Sequence, residues 1–452
     1  MSDLTAKYRR KLLFMTLEPI TEAMAGPAIR CLEMGKALCD EFDVTVFSPH
    51  ACQISPQIKS NQLPGLNLAL GVGRGQLAQL ARQSEVVIVQ ANVLKAYPAI
   101  ARLAKYLVVD LYDPYLFSIH VQWQGDPHTA SSSFRLMHQV LQQHMVRADF
   151  SICASERQRD YWIGRFCALG RIDPALYNFD PSLRKLIDIV PFGLAARHPE
   201  RNGPGLRDRI EAIHPEDPVL LWGGGIWDWF DPITIIKAVA ALVSTIPNLR
   251  LVFMGSKSPN PQVPLMKMAL KARNLSDSLH LTGKHIFFPG EWVDYLDRVN
   301  YLLDADIAVS AHFDLPETRY SYRTRMLDYI WARLPMITTG GDSLSDLVEA
   351  TGCGIVVPYE DTGAWQNAIS KMIGDVDFAR AARTNVARLC QEFTWSKVIG
   401  PLRSYCRNPY RLPPYRRVTK PTAVERARAV YLRGGKELVI KRSRQLLKDL
   451  LP

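Results

Sequence analysis

Two stretches of the chain repeat one rhythm: a short unbroken apolar run, a polar or glycine-bearing turn, then apolar residues at three- and four-residue spacing. In the first stretch the runs are LLFM (12–15), DVTVFS (43–48), VVIVQ (86–90), YLVVDLYDP (106–114), FSICAS (150–155) and LIDIVPFG (186–193). Helical patterns follow the Ala25-Gly26-Pro27 loop, from 28 to about 40, and again from about 133 to 147. Runs that are apolar at successive positions, without alternation, predict parallel strands covered by helices on both faces.

The same rhythm restarts after a segment rich in Pro, Gly and charge (198–218), which reads as a linker. PVLLWGGG (218–225), NLRLVFMG (248–255), SLHLTG (278–283), ADIAVSA (305–311), MITTGG (336–341) and GIVVPYE (354–360) are the expected strands. Asp231-Pro232 and Asp342 have the chemistry of helix starts, and RTRMLDYIWAR (323–333) has helical spacing. The pattern predicts an α/β chain of two doubly wound, Rossmann-like domains facing a cleft. Residues 1–200 form the first half, 216–395 the second, 396–420 a return helix and linker, and 421–452 a basic helical tail. In such sheets ligands bind beyond the carboxyl ends of the strands, here in the cleft between the halves.

The 452 residues, at a typical ~150 per domain, fit this division. Hydrophobic content of 47% and charged content of 22% are those of a globular chain, and exclude extended disorder. The eight cysteines are scattered without a C-x-x-C pair, which argues against a disulfide framework or a zinc site. No apolar run spans a bilayer, and LLFM is too short for a secretory signal core, so a cytoplasmic protein is expected. The net charge of +11 is unevenly placed: residues 401–452 hold 14 basic and 3 acidic residues, and the first 400 hold 41 of each. A neutral body argues against nucleic-acid binding. In the tail, Val424, Ala427, Val430 and Tyr431, then Leu438, Val439, Leu446, Leu447 and Leu450 after a Gly434-Gly435 break, are flanked by Lys and Arg. That is the pattern of a basic amphipathic helix on an anionic membrane surface; a charged helix packed on the first domain is the alternative.

Two segments carry candidate chemistry. Trp222-Gly223-Gly224-Gly225 ends a strand, where glycines let backbone N–H groups approach a phosphate; a tight turn alone is the bland reading. Trp227 and Trp229 beside it read as packing rather than as a stacking surface. In PETRYSYRTRMLDYIWARLP (316–335), Arg319, Arg323 and Arg325 crowd a helix start, where the dipole disfavours cations. An anion is therefore expected there, with Arg323 and the amides of Ser321, Tyr322 and Thr324 gripping a diphosphate, and Asp328 accepting from ribose hydroxyls. An intrahelical Arg–Asp pair without ligand is the competing reading.

The chain resembles GT-B fold glycosyltransferases, in particular the large retaining family 4 that uses nucleotide-sugar donors. AGPAIRCLEMGKALCDEFDVTVFSP (25–49), VLLWGGGIWDWFDPITIIKAV, LRLVFMG, the long segment from EWVDYL to LPMIT, DLVEATGCGIVVPYED and FTWSKVIGPLRSYC carry the likeness, over about residues 10–406. The resemblance implies a transfer from a nucleoside diphosphate-sugar to a glycan or lipid-linked acceptor, with no cofactor and no metal. It places Gly224, Gly225, Ser321, Tyr322, Thr324 and Asp328 on the donor, Trp292 and Val293 at its base, and Gly26 and Arg30 on the acceptor side. His120 is the first-domain candidate near the donor sugar, a structural histidine being the alternative, and Asp113 and Asp110, at a strand's carboxyl end in the cleft, bind acceptor hydroxyls or cap the next element. Asp126 and His128 have metal-pair spacing without further support. The sequence also departs from the family. The usual Arg and Lys on the diphosphate fall at Gly225 and Phe230, and Tyr320 stands where the first of two glutamates belongs. Lys257 and Arg323 are the expected replacements for the missing charge. A nucleotide-sugar epimerase of the same fold and a degenerate binding protein remain open alternatives.

Overall fold

The computed structural model describes residues 9–51, 65–256, 260, 265–290, 292–416 and 422–450. Except for β3 and β10, its strands lie where the apolar runs predict them, because residues such as Leu12, Leu13 and Phe14 are buried whichever way they point. The first domain contains β1 (Lys11–Met15), β2 (Asp43–Ser48), β3 (Leu66–Leu70), β4 (Val86–Gln90), β5 (Tyr106–Asp110), β6 (Phe150–Cys153) and β7 (Ile187–Ile189). They pair in the order β3-β2-β1-β4-β5-β6-β7, all parallel. The second contains β8 (Val219–Trp222), β9 (Arg250–Phe253), β10 (Ile286–Phe287), β11 (Ile307–Ser310), β12 (Met336–Thr339) and β13 (Gly354–Val357). Its order, β10-β9-β8-β11-β12-β13, is again wholly parallel. Each sheet therefore reverses its winding beside its first strand, and the two switch points open into one cleft.

Helix starts follow the sequence chemistry. Asp231 accepts from the Thr234 amide at 3.1 Å, with Pro232 in the first turn, and Asp342 accepts from the Leu344 and Ser345 amides. Asp126 caps the helix Pro127–Met145, which begins earlier than its apolar pattern; its carboxylate accepts from the Thr129 amide, so the Asp126–His128 spacing serves a cap.

Three expectations need correction. The strand β3 and the helix Arg74–Gln83 lie between DVTVFS and VVIVQ, where no element is expected, LNLAL being short and carrying an exposed Asn67. SLHLTG is not a strand: the helix Lys267–Ser278 ends there and turns through His280 at φ +55, and the edge strand is Ile286–Phe287. The tail is one helix, Ala423–Leu450, which runs on through the expected Gly434-Gly435 break with Gly435 at φ +65.

The segment after β7 is bound to the second domain, where Asn300 Nδ2 donates to Asn202 at 2.7 Å and Arg207 pairs with Asp306 at 2.9 Å. The chain finally returns to the first domain through the helix Gly400–Arg407. Arg407 pairs with Glu41 at 2.6 Å, and Tyr405 stacks on Phe150 at 4.8 Å.

Candidate functional site in the interdomain cleft

The cleft holds a cavity of about 550 Å³ lined from both domains. On the second-domain side, Trp222 is wholly buried at the end of β8 and anchors the glycine turn. The Gly223 amide donates to Tyr329 Oη at 2.7 Å, and a Cβ at 223 would stand 2.9 Å from the buried Tyr329 ring, which would have to shift to admit a side chain. Gly224, at φ +74, turns the loop towards the cavity. The Trp292 ring closes over Gly225 and lines the cavity with Val293.

Next to this turn, Ser321, Tyr322, Arg323 and Thr324 line the cleft. The anion expected at Arg323 is present in the chain itself: Nη2 reaches Glu317 Oε2 at 2.7 Å and Nη1 reaches Oε1 at 3.2 Å, with both residues buried. Sequence inspection passes over Glu317 because it sits in the preceding short helix, Pro316–Tyr320. Arg325, one of the three arginines at the helix start but not the one expected on the diphosphate, is 8% exposed. Its Nη2 donates to the Gly225 carbonyl at 2.6 Å, and its guanidinium lies 3.9 Å from the centre of the Phe230 ring. Burial pulls its pKa down to about 10, and Arg323 adds to the shift.

Asp328 lines the cleft with its side chain 38% exposed and pairs with Arg298 at 3.2 Å, rather than with an arginine of its own helix. Tyr320 does not face the cavity. Its ring stacks on Phe117 at 5.7 Å and its carbonyl accepts from Gln158 at 2.8 Å, joining the domains. Trp227 and Trp229 are parallel within 8° at 5.6 Å, half-buried, and line the cavity, so they offer an aromatic surface as well as packing. Lys257 lies outside the described residues.

The first-domain wall is set by the ends of β1 and β5. Gly26 faces the start of the second-domain helix, where an added Cβ would meet Thr324 Oγ1 at 3.6 Å. Asp113 lines the cavity beside Ser118, whose hydroxyl is 3.5 Å from its carboxylate. Burial, reinforced by the nearby Glu317 carboxylate and opposed by Arg323, pushes its pKa up to about 7. Glu18, at the end of β1, also lines the cavity and is raised by burial, with Asn260 donating to it at 2.7 Å from the other domain. Its only sequence signal is a carboxylate just past a strand's carboxyl end.

Three candidates leave the site. Arg30 is fully buried and forms a bidentate pair with Asp110 (2.7 and 3.0 Å), so neither contacts an acceptor. His120 is exposed and packs beside Phe134 at 5.2 Å, because the helix Tyr115–Gln122 turns away from the cleft after Ser118. Among the described residues no group of three or more His, Cys, Asp or Glu is placed to hold a metal.

Residues 217–375 match the family described as glycosyl transferases group 1. Two D-inositol 3-phosphate glycosyltransferases are similar. The one from Saccharomonospora viridis is 23% identical over 53% of this chain and 56% of its own, and the one from Nocardia farcinica 25% identical over 51% and 49%. The chain thus spans about half the length of these curated relatives. The structure of HepE from Anabaena, in complex with UDP and glucose, superposes with a TM-score of 0.63 at 13% identity, covering 88% of this chain and 99% of that one. The chain has the GT-B fold.

Proposed function

We propose, for a GT-B chain whose second domain matches glycosyl transferases group 1, that it transfers a sugar from a nucleoside diphosphate donor to a saccharide acceptor. The observation that carries this reading is the cleft itself. One wall combines a phosphate-compatible glycine turn, a tryptophan for the base and a half-exposed Asp328; the other presents the carboxylates Glu18 and Asp113. The diphosphate lies against Gly224, Gly225 and the segment 321–324, the ribose hydroxyls donate to Asp328, and the base rests by Trp292 and Val293. The acceptor enters past Gly26, Glu18 and Asp113, with the parallel tryptophans 227 and 229 as a surface for a sugar face. Buried basic groups stabilise the charge that develops on the leaving diphosphate, and exclusion of water by the closed cleft strengthens them. Asp113, with a pKa near 7, is suited to hold or release a proton at an acceptor hydroxyl. Retention, and a place in bacterial-type polysaccharide synthesis on a lipid-linked acceptor at the inner membrane face, rest on the family resemblance and the basic tail.

Incubation with a panel of nucleotide sugars, UDP-glucose first because HepE was solved with UDP and glucose, should release nucleoside diphosphate only when a saccharide acceptor is present. Asp328→Asn should weaken nucleoside diphosphate binding by about 1–2 kcal/mol in calorimetry. Sugar epimerised without an acceptor would replace the transferase by an epimerase, and no binding of any nucleotide would leave a degenerate protein.

A further inference from the structure

Arg325 is a buried cation whose charge nothing nearby answers. It is 8% exposed, and among the described residues no carboxylate lies within salt-bridge distance. Its Nη2 donates to one neutral acceptor, the Gly225 carbonyl, and its Nη1 has no partner among the described residues. Its guanidinium rests on the faces of Phe230 and Trp222 (3.9 and 4.6 Å), which favours a cation but leaves its N–H groups unsatisfied. Its neighbour Arg323 is the opposite case, already held by both oxygens of Glu317. A guanidinium kept desolvated without a counter-ion destabilises the empty protein, and an apolar side chain would pack the same space better. The position lines the cavity at the glycine turn, so the compensating anion has a place to sit.

We propose that Arg325 is the principal charge on the donor diphosphate in this chain, its fork reaching across the Gly225 turn, with Arg323 and Glu317 acting as a neutral strut that fixes the segment 321–324. This deepens the donor reading above and rests on it. It also accounts for the departures at Gly225 and Phe230: the guanidinium of Arg325 touches both positions, so positive charge stands at the glycine turn although it comes from a different helix.

The experiment compares thermal stabilisation of the full chain by UDP, GDP and the matching nucleosides, for the wild type, Arg325→Met and Arg325→Lys. In the wild type one diphosphate should stabilise far more than its nucleoside. Arg325→Met should melt no lower than wild type when empty, keep its response to the nucleoside, and lose about 10²-fold in diphosphate affinity, as expected for removal of hydrogen bonds to a charged group. Arg325→Lys, which keeps the charge but not the fork, should fall between. Undiminished diphosphate affinity in a folded Arg325→Met would overturn the assignment while leaving the donor reading intact. Failure of Arg325→Met to fold would overturn it too, by making the guanidinium a structural strut. A wild type that answers neither diphosphate would retire the donor reading, and this assignment with it.

Discussion

Arg30 and Asp110 show at the scale of single residues how burial decides a role. Both side chains are fully inaccessible, and Arg30 also donates to the Val190 carbonyl at 2.8 Å. Arg30→Leu would strand the Asp110 carboxylate in the interior, at a cost of about 3–5 kcal/mol in chemical denaturation; a loss below 1 kcal/mol would mean the pair is not the strut described. Asp113 makes the opposite point, since its burial serves titration. Its pKa rises from 3.8 unfolded to about 7 folded, so the folded state binds more protons between those values and stability falls as pH rises through that window. The melting temperature of wild type should therefore decline more steeply from pH 4 to pH 7 than that of Asp113→Asn. Parallel curves would mean Asp113 is ionised throughout.

Elements are placed by local signals and held by contacts those signals do not contain. Asp231 and Asp342 cap their helices as their side-chain chemistry predicts. The strand β3 was not legible, because it is a five-residue edge strand with Asn67 exposed, and only its pairing with β2 makes it a strand. Gly193, just beyond β7, illustrates the tertiary constraint: a Cβ there would lie 2.4 Å from Trp395 of the return segment, while the Leu194 amide donates to the Phe393 carbonyl at 2.6 Å. Gly193→Ala should cost roughly 1–3 kcal/mol by displacing Trp395. The loss should appear as a lower melting point with faster proteolysis around 395–407; an unchanged melting point would mean that the tryptophan moves aside freely.

Across the whole molecule, two domains and a tail divide the work. The domains touch through Tyr320, Gln158 and the Asn260–Glu18 bond, which fix how the walls of the cleft meet. The tail does not join the body in the same way: from Thr422 to Arg442 every described side chain is exposed or half-exposed, and Val424 and Leu432 are 77% and 75% exposed. No helix among the described residues is long and apolar enough to cross a membrane. With each basic residue contributing roughly 1 kcal/mol at an anionic surface, reversible and salt-sensitive attachment is expected. Removing residues 421–452 should abolish sedimentation with phosphatidylserine vesicles at low salt and leave nucleotide binding intact. Full-length protein that ignores such vesicles, or a truncated chain that unfolds, would make the tail structural.

The sequence by itself determined the two doubly wound halves, the glycine turn at the end of β8 and the tail's separate charge, because unbroken apolar runs, caps and charge blocks are local properties of the chain. Only the tertiary structure decided which charges are spent and which are free. Arg30 meets a carboxylate 80 residues away and Arg325 a carbonyl 100 residues away. Arg323 meets Glu317 across the break between two helices. Such pairings depend on how crossover helices bring distant strand ends together. Desolvation then fixes their value: within one short run of arginines, burial with a carboxylate made one a strut, and burial without one left its neighbour open to an anion.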